Sequence, residues 1–301
     1  MNTELDKCNS IIMDNHNNKT EVDAKGSGDD VGDALGKPKG HFHHNVACMP
    51  VDRNSAYYNM NHPNRGIAVI FNHEVFDINS LKQRNGTNVD RENLQYALTD
   101  LGFDVRVFDN LTTKQIRDEV EKVASTDHTQ YDCLLIAVLS HGEMGIIYSK
   151  DTPYKPESLW KPFTADRCPT LAGKPKLFFL QACQGDKLDG GITLAKRTQV
   201  DGDSAGYKIP IHADFLIAYS TIPGFYSWRN TTNGSWFIQA LCCELQSKGT
   251  SVDLLTLLTF VIQRVALDFE SNTPGNYTMH QQKQIPCVTT MLTRLLCFTR
   301  K

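Results

Sequence analysis

The sequence has no apolar run that approaches the roughly 18 residues needed to cross a membrane. Its most hydrophobic stretch, residues 254–262, is followed directly by Gln263 and Arg264. The N-terminal stretch MNTELDKCNS contains no signal-peptide core. We therefore expect a cytoplasmic protein that makes no contact with a membrane.

The chain also lacks an excess of positive charge. Lys and Arg number 31 against 34 Asp and Glu, which leaves a formal net charge of −3 at pH 7. No basic stripe is available to neutralise phosphates, so a general nucleic-acid binder is excluded. No glycine-rich phosphate loop follows any predicted strand, which disfavours a nucleotide-binding module.

Disulfide and metal frameworks are missing as well. The nine cysteines are an odd number and are scattered rather than regularly spaced, as expected of reduced thiols inside a cell. His41, His43 and His44 form a cluster, but no partners with zinc-site spacing accompany them. We predict neither a metal site nor a cofactor.

What the chain does have is ample length and an ordinary composition. Its 301 residues are 40% hydrophobic and 22% charged, enough for one large or two ordinary domains with a sizeable core. Residues 1–48 are rich in Asn, Asp, Gly and Lys and lack periodicity, which predicts a flexible arm. We expect ordered structure to begin near Arg65.

Apolar runs and helical patterns alternate over the remainder. Strands are predicted over residues 66–71, 103–108, 132–139, 177–180 and 213–219, with a β-prone run over 287–298. Helices are predicted over residues 89–101, 113–124, 235–247 and 252–269. This order predicts the α/β class, with a mostly parallel sheet covered by helices on both faces. Residues 184–208 are polar and turn-rich, and a loop of that length is often functional.

Two residues with catalytic potential directly follow buried strands. His141 follows the third predicted strand, and Cys183 follows the fourth, 42 residues later (183 − 141). The carboxyl ends of parallel strands share one edge, where α/β proteins bind ligands. An imidazole beside a thiol can favour the thiolate or take its proton during attack, so the pair is a candidate nucleophilic centre. Position alone leaves open that Cys183 is a small buried hydrophobe and His141 a satisfied polar residue.

The sequence around both residues resembles one protease family. QACQG at 181–185 is similar to the pentapeptide around the nucleophile of caspases, whose histidine lies about 50 residues upstream. SHGE at 140–143 resembles the family's histidine motif, and SWRN with GSWF at 227–237 resembles its substrate-binding loop. KQIPC at 283–287 resembles the segment before its last strand. The resemblance covers roughly residues 50–298 and is to effector caspases of the insect type with a short propeptide, which are aspartate-specific cysteine proteases of cell death.

The resemblance implies a role for each matching residue. Cys183 is then the nucleophile, His141 the general acid–base group, and the backbone N–H groups of Gly142 and Cys183 the oxyanion hole. An aspartate side chain needs a permanently charged, bidentate partner, which arginine supplies. The implied substrate-binding residues are Arg84, Gln181, Tyr226, Ser227, Trp228, Arg229, Asn230 and Trp236. Without the motif context, Arg84 in its polar loop would be expected to be a solvated charge.

The implied fold is a three-layer α-β-α sandwich whose six-stranded sheet ends in an antiparallel strand. The implied assembly is a homodimer of large/small heterodimers, joined through that last strand. The loop over residues 272–282 shapes a far subsite in the family, and Tyr277 is the candidate for the aromatic group missing from its start. The preference for an acidic residue four positions before the cut therefore stays open.

Two aspartates are expected processing sites of a zymogen. Asp33 precedes Ala34 in the arm, and Asp201 precedes Gly202 in the polar loop, although Asp-Gly is also common turn chemistry. Cleavage there would give a propeptide (1–33), a large subunit (34–201) and a small subunit (202–301). DVGD carries an acidic residue four positions back and TQVD does not, so the enzyme is expected to cut at Asp33 and an initiator caspase at Asp201. Inhibitor-of-apoptosis proteins, at the Ala34 N-terminus, or viral caspase inhibitors are further expected partners.

Two alternatives of function stay open at this point. A metacaspase-like protease would share the His–Cys pair but cut after Arg or Lys, which needs acidic pocket residues in place of Arg84 and Arg229. A catalytically inactive relative would act as a regulatory binding protein, and the intact His141, Cys183 and Gln181 disfavour it.

Overall fold

The computed structural model describes residue 47 and residues 49–191 and 210–301 of the chain. Asp33, Ala34, Asp201 and the histidines at 41–44 lie outside the described residues. The strands are β1 (Ile67–Asn72), β2 (Asp104–Asp109), β3 (Leu134–Leu139), β4 (Gly142–Glu143), β5 (Ile146–Tyr148), β6 (Pro153–Tyr154), β7 (Lys176–Gln181), β8 (Phe215–Tyr219), β9 (Arg229–Asn230), β10 (Gly234–Ser235) and β11 (Cys287–Thr290). The α-helices are α1 (Thr87–Asp100), α2 (Thr113–Ala124), α3 (Glu157–Trp160), α4 (Trp236–Lys248) and α5 (Leu254–Asp268).

Six strands form one sheet in the order β11-β8-β7-β3-β1-β2. All neighbouring pairs are parallel except β11 with β8, which are antiparallel. The central strands β1, β3 and β7 are buried at every position, because helices cover both faces of the sheet. The predicted mostly parallel, six-stranded sheet with an antiparallel last strand is confirmed.

Alternate residues of the central strands belong to two separate hydrophobic cores, one on each face of the sheet. On one face, Leu135 and its like-facing neighbours pack with α1, α4 and α5, for example with Leu94 and Phe237. On the other face, Ile136 packs with α2 through Val120. This is the predicted three-layer sandwich. In the part of the chain that the structure describes, no helix combines the length and apolarity needed to cross a membrane.

The boundaries of most elements fall within two residues of the predicted ones. Helix α2 has the predicted limits, because a capping box between Thr112 and Gln115 begins it. The prediction that order begins near Arg65 is wrong. Tyr58 is buried and its hydroxyl donates to Asp214, since the segment before β1 packs onto the amino end of β8. The β-prone run after 287 is also shorter than predicted, with only four residues paired in β11.

Three features near the site escape prediction from the sequence. Strands β4, β5 and β6 form a small sheet directly after His141, and β9 with β10 form a second one. Segments of two or three residues are too short to show any period. The start of the predicted polar loop also has paired backbone, because Lys187 forms an isolated β-bridge with Phe225 and Asp189 forms one with Lys283. Residues 192–209 lie outside the described part.

Candidate active site

The register of two neighbouring strands brings His141 and Cys183 to one place. Leu139 of β3 pairs with Gln181 of β7, and each candidate residue lies two positions after its member of that pair. The backbone N–H of Ser140 continues the ladder by donating to the carbonyl of Gln181 at 3.0 Å. Both residues therefore lie at the carboxyl edge of the sheet, as predicted from the sequence.

Gly142 stands against the backbone of Cys183. A Cβ at position 142 would lie 2.6 Å from the carbonyl oxygen of Cys183 and 2.9 Å from the Cβ of Ala182. Neither distance is tolerable, so a residue without a side chain is required where the two strand ends approach each other. The two expected oxyanion-hole residues are thus in direct contact.

A backbone carbonyl orients the imidazole of His141. Nε2 lies 2.7 Å from the carbonyl oxygen of Lys82, and the ring of Phe76 lies 4.9 Å from the imidazole between centroids. A carbonyl only accepts hydrogen bonds, so Nε2 carries the proton and Nδ1 is the basic nitrogen of the neutral ring. Burial lowers the pKa of His141 to about 4, against the Lys82 contact and with help from the charges of Arg84 and Arg229. The ring is neutral at pH 7.

The thiol of Cys183 contacts the backbone of Ser227 in two ways. Sγ accepts the Ser227 N–H at 3.3 Å and donates to the Ser227 carbonyl at 3.7 Å. Burial raises the pKa of the thiol, while the Ser227 N–H and the two nearby arginines, Arg84 and Arg229, oppose that rise. At neutral pH Cys183 is therefore a thiol and His141 a neutral imidazole.

Arg84 is not the solvated charge that its polar loop allowed. Its side chain is only 1% exposed, and Nη1 donates to the carbonyl of His73 at 2.9 Å and to Oγ1 of Thr87 at 2.6 Å. Burial, followed by repulsion from Arg229, lowers the pKa of Arg84 to about 9. The guanidinium remains charged at pH 7, which makes it a strong hydrogen-bond donor to an anion.

Arg229 and Gln181 complete the polar group around Arg84. Arg229 is half-buried, and its Nε donates at 2.9 Å to the carbonyl of Asn85, the residue that follows Arg84. Gln181 is buried, and its amide nitrogen donates to the hydroxyl of Ser227 at 2.8 Å. The structure thus brings Arg84, Gln181 and Arg229, three of the implied substrate-binding residues, to the same side of the sheet edge as the thiol.

The expected aromatic residues form a row of rings. Tyr226, Trp228 and Trp236 follow one another with centroid distances of 5.7 and 5.6 Å, and Phe269 extends the row at 5.5 Å. Of these implied substrate-binding residues, Trp236 is only 7% exposed, because Phe269 stacks on it. The Trp228 indole N–H is buried without a hydrogen-bond partner.

Two expected residues are placed less favourably for contact with substrate. The side-chain oxygen of Asn230 accepts the N–H groups of Thr232 and Asn233, so it is engaged in its own turn. Tyr277 is 93% exposed in a short 3₁₀ helix over Tyr277–Met279. The expected replacement of the missing aromatic group is therefore not made in this conformation.

Several residues shape the site through their backbone atoms or from buried positions, and the sequence did not predict them. Lys82 contributes only its backbone carbonyl, which any residue type has, so nothing in the sequence indicates its role. Phe269 and Gln284 are remote in sequence, and Gln284 Oε1 accepts the backbone N–H of Trp228 at 2.6 Å. Asp90 lies in the first turn of α1, where an acidic residue is ordinary. No cluster of three or more His, Cys, Asp or Glu suited to a metal occurs among residues 49–191 and 210–301.

Comparison with known proteins agrees with this arrangement. A family model described as the caspase domain matches residues 65–297. The chain belongs to the caspase family. It is 63% identical over 288 residues to Caspase-1 of Spodoptera frugiperda, covering 94% of this chain and 96% of that protein. It is 61% identical over 266 residues to Caspase drICE of Drosophila melanogaster, covering 88% of this chain and 78% of that protein.

Comparison with solved structures also supports membership of the caspase family. The crystal structure of Caspase-1 from Spodoptera frugiperda superposes with a TM-score of 0.80 at 64% identity, covering 85% of this chain and 100% of that one. The chain is therefore an aspartate-specific cysteine endopeptidase, as the motifs predicted. Family membership implies protein substrates that are cut after aspartate, synthesis as a zymogen, and a dimeric assembly.

Proposed function

We propose that Cys183 is the nucleophile and His141 the acid–base group of this caspase. One observation carries the proposal: both residues lie two positions past the registered pair Leu139 and Gln181 on adjacent parallel strands. The hydrogen bond from Nε2 of His141 to the Lys82 carbonyl supports it, because it leaves Nδ1 free to accept a proton. The role of this pair follows from its chemistry in three steps.

Attack couples bond formation to proton transfer. As Sγ of Cys183 bonds to the scissile carbonyl carbon, the S–H proton passes to Nδ1 of His141, because the thiol is too weakly acidic to ionise beforehand. The carbonyl oxygen takes up the electron pair of its π bond and becomes an oxyanion. The backbone N–H groups of Gly142 and Cys183 are the proposed donors to that oxygen, each worth about 2.7–4 kcal/mol of barrier.

Collapse of the tetrahedral intermediate releases the first product. The C–N bond breaks, and the imidazolium of His141 returns its proton to the leaving amine. A thioester on Cys183 remains. Neutral His141 then removes a proton from water as the water attacks the thioester carbonyl, and the same proton restores the thiol when the C–S bond breaks.

Aspartate recognition is assigned to Arg84, Gln181 and Arg229. The two guanidinium groups supply permanent charge in a largely buried place, where an ion pair is much stronger than in water. The second N–H of the Gln181 amide is a further donor. Tyr226, Trp228 and Trp236 form the neighbouring subsites, while Ser227, Arg229 and Asn230 line the path of the substrate strand.

Activation is proposed to follow cleavage after Asp33 and Asp201 in the cytoplasm. The products are a propeptide (1–33), a large subunit (34–201) and a small subunit (202–301), which pair as a dimer of heterodimers. The backbone pairing of Lys187 with Phe225, and of Asp189 with Lys283, supports an intimate join between the two subunits near the second cut. An initiator caspase as activator, and inhibitor-of-apoptosis or viral caspase inhibitors as ligands, complete the proposed partners.

A peptide panel tests the assignment of the site. Processed enzyme is expected to cut peptides with Asp at the cleavage position and to leave matched Glu, Asn, Arg and Lys peptides essentially uncut. Cys183→Ala is expected to abolish cleavage, whereas Cys243→Ala, at an exposed cysteine on α4, keeps it. Cleavage after Arg or Lys would indicate the metacaspase-like alternative. Full activity of Cys183→Ala would remove the mechanism.

A further inference from the structure

Asp90 is a buried carboxylate held by two hydrogen bonds from one residue. Asp90 lies in the first turn of α1 and is 1% exposed. Oδ1 accepts the backbone N–H of Ser235 at 2.7 Å, and Oδ2 accepts the Ser235 hydroxyl at 2.6 Å. A two-point contact of this kind fixes direction as well as distance, so it determines where Ser235 lies relative to α1.

Ser235 in turn determines where Arg229 lies. Ser235 pairs with Arg229 in the two-stranded β9–β10 hairpin, and it is the N-cap residue of α4. The hairpin touches the carboxylate closely, because a Cβ at Gly234 would lie 2.2 Å from Oδ1 of Asp90. Gly234 also has a φ of 90°, a conformation that glycine adopts readily. The position of the hairpin is therefore coupled tightly to Asp90.

The same end of α1 holds the other arginine. Arg84 donates to Thr87 at 2.6 Å, one turn before Asp90, and Arg229 donates to the carbonyl of Asn85 at 2.9 Å. A Cβ at Gly86 would lie 2.8 Å from the carbonyl oxygen of Asn230, so the loop before α1 and the hairpin are in direct contact. The first turn of α1 thus binds the Arg84 side chain through Thr87. Through Asp90 it also positions the hairpin that contains Arg229.

The charges around Asp90 suit this position. Its negative charge raises the pKa of Arg84 and of Arg229, against the lowering by burial. Burial raises the pKa of Asp90 itself, and the two donors of Ser235 and the two arginines oppose that rise. With Asp90 ionised, the two guanidinium groups keep one net positive charge, which matches the single carboxylate of a substrate aspartate.

We propose that Asp90 is a positioning residue for substrate recognition, which locks the β9–β10 hairpin onto α1 so that Arg229 stands beside Arg84 before substrate arrives. The inference rests on the proposed function of the two arginines as the aspartate pocket. Asp90 belongs to the proposed large subunit and Ser235 to the small one. Their contact therefore aligns the two halves of the pocket after the chain has been cut.

The experiment measures kcat and KM of processed enzyme on a peptide with Asp at the cleavage position. Four variants are compared, namely Asp90→Asn, Ser235→Ala, the double variant, and Glu244→Gln. Glu244 is the matched control, because it is also a buried carboxylate, lies on α4, and pairs with Arg264 and Lys248 rather than with Arg84 or Arg229. Arg229→Ala is run in parallel to test the pocket itself. Thermal unfolding midpoints are recorded for all proteins.

Asp90→Asn is expected to raise KM about tenfold or more while kcat changes less than about threefold, since a misplaced Arg229 weakens binding before the chemical step. Ser235→Ala should raise KM in the same direction, because it removes the hydroxyl donor and keeps the backbone one. The double variant should raise KM by less than the product of the two single effects, because both changes weaken the same contact. Glu244→Gln should lower the unfolding midpoint and leave KM unchanged. A purely structural role for Asp90 would instead give it the same profile as Glu244→Gln, which overturns the proposal.

Arg229→Ala tests the proposed aspartate pocket, whereas Asp90→Asn and Ser235→Ala test the positioning role of Asp90. If Arg229→Ala raises KM but Asp90→Asn and Ser235→Ala leave it within about twofold of the parent, the positioning role is wrong and the proposed pocket stands. If Arg229→Ala itself leaves KM unchanged, the proposed pocket is wrong. If Asp90→Asn does not fold, Ser235→Ala decides alone, and an unchanged KM in that variant overturns the positioning role.

Discussion

Nε2 of His141 lies 2.7 Å from the carbonyl oxygen of Lys82, which stands 59 residues earlier in the chain. The contact fixes the neutral tautomer of the imidazole with its basic nitrogen at Nδ1. In many hydrolases a carboxylate orients the histidine, but a backbone carbonyl brings no negative charge to the site. No carboxylate partner therefore offsets the burial of the ring, which lowers the pKa of His141 to about 4 even though the Lys82 contact opposes this.

The raised pKa of Cys183 predicts how the free enzyme reacts with a small alkylating agent. Only the thiolate reacts, so the rate of alkylation of Cys183 by iodoacetamide should keep rising with pH through 9.0, the ordinary thiol pKa. The rate is measured by mass spectrometry of the peptide that contains Cys183. A plateau that is reached already near neutral pH would show a preformed thiolate and contradict the neutral resting pair.

Gly142→Ala should damage catalysis more than binding. The new Cβ would lie 2.6 Å from the Cys183 carbonyl oxygen, so the backbone around the proposed oxyanion hole must shift. We expect kcat to fall by about 10²- to 10³-fold with a smaller change in KM, the size of effect seen when one such donor is lost. Gly190→Ala is the matched control, because a Cβ there meets nothing within 4 Å. Equal activity of both variants would argue against an oxyanion hole at Gly142.

His73 should make the folded protein sensitive to mild acid. It is fully buried, neither ring nitrogen has a partner, and burial together with the charge of Arg84 lowers its pKa to about 4, although Asp109 and Asp151 oppose this. The unfolded chain, whose histidine has its ordinary pKa of 6.5, binds more protons between these two values. The free energy of unfolding should therefore fall as pH drops from about 6.5 to about 4, by up to about 3 kcal/mol from this residue.

Urea unfolding of the parent and of His73→Gln at pH 7 and pH 5 measures that contribution. The variant cannot titrate at this position, so its free energy of unfolding should depend less on pH over the interval. The comparison is of pH slopes, because the substitution also changes packing and shifts both values together. Identical slopes for the two proteins would exclude His73 as the acid-sensitive group.

The two expected processing sites should differ in which protease cuts them. The Cys183→Ala chain serves as substrate because it cannot cut itself, and active enzyme is added in catalytic amount. We expect cleavage after Asp33, within DVGD, and little cleavage after Asp201, within TQVD, because only the first has an acidic residue four positions back. Mass spectrometry of the fragments identifies the cut sites. Equal cleavage at both would contradict the assignment of Asp201 to a separate initiator caspase.

The central part of the fold could be predicted because local pattern and tertiary position coincide there. Residues 134–139 are apolar throughout, as a strand with helices on both faces must be, and the run ends just before His141. The short strands β4 to β6 follow His141 immediately and have no such pattern. The segment around Tyr58 also looked unstructured, since its burial depends on β8 and on residues near the C-terminus.

The sequence by itself determined the fold class and the family, and it predicted that His141 and Cys183 lie at one edge of the sheet, because each of these follows from runs of neighbouring residues or from short motifs. The tertiary structure alone decided that Arg84 is buried, that Lys82 orients the imidazole, and that Asp90 holds Ser235 from 145 positions away. Burial and hydrogen bonding between distant residues depend on how the elements pack. An arginine in a polar loop and an aspartate in the first turn of a helix look alike in sequence, whether they face water or build a pocket.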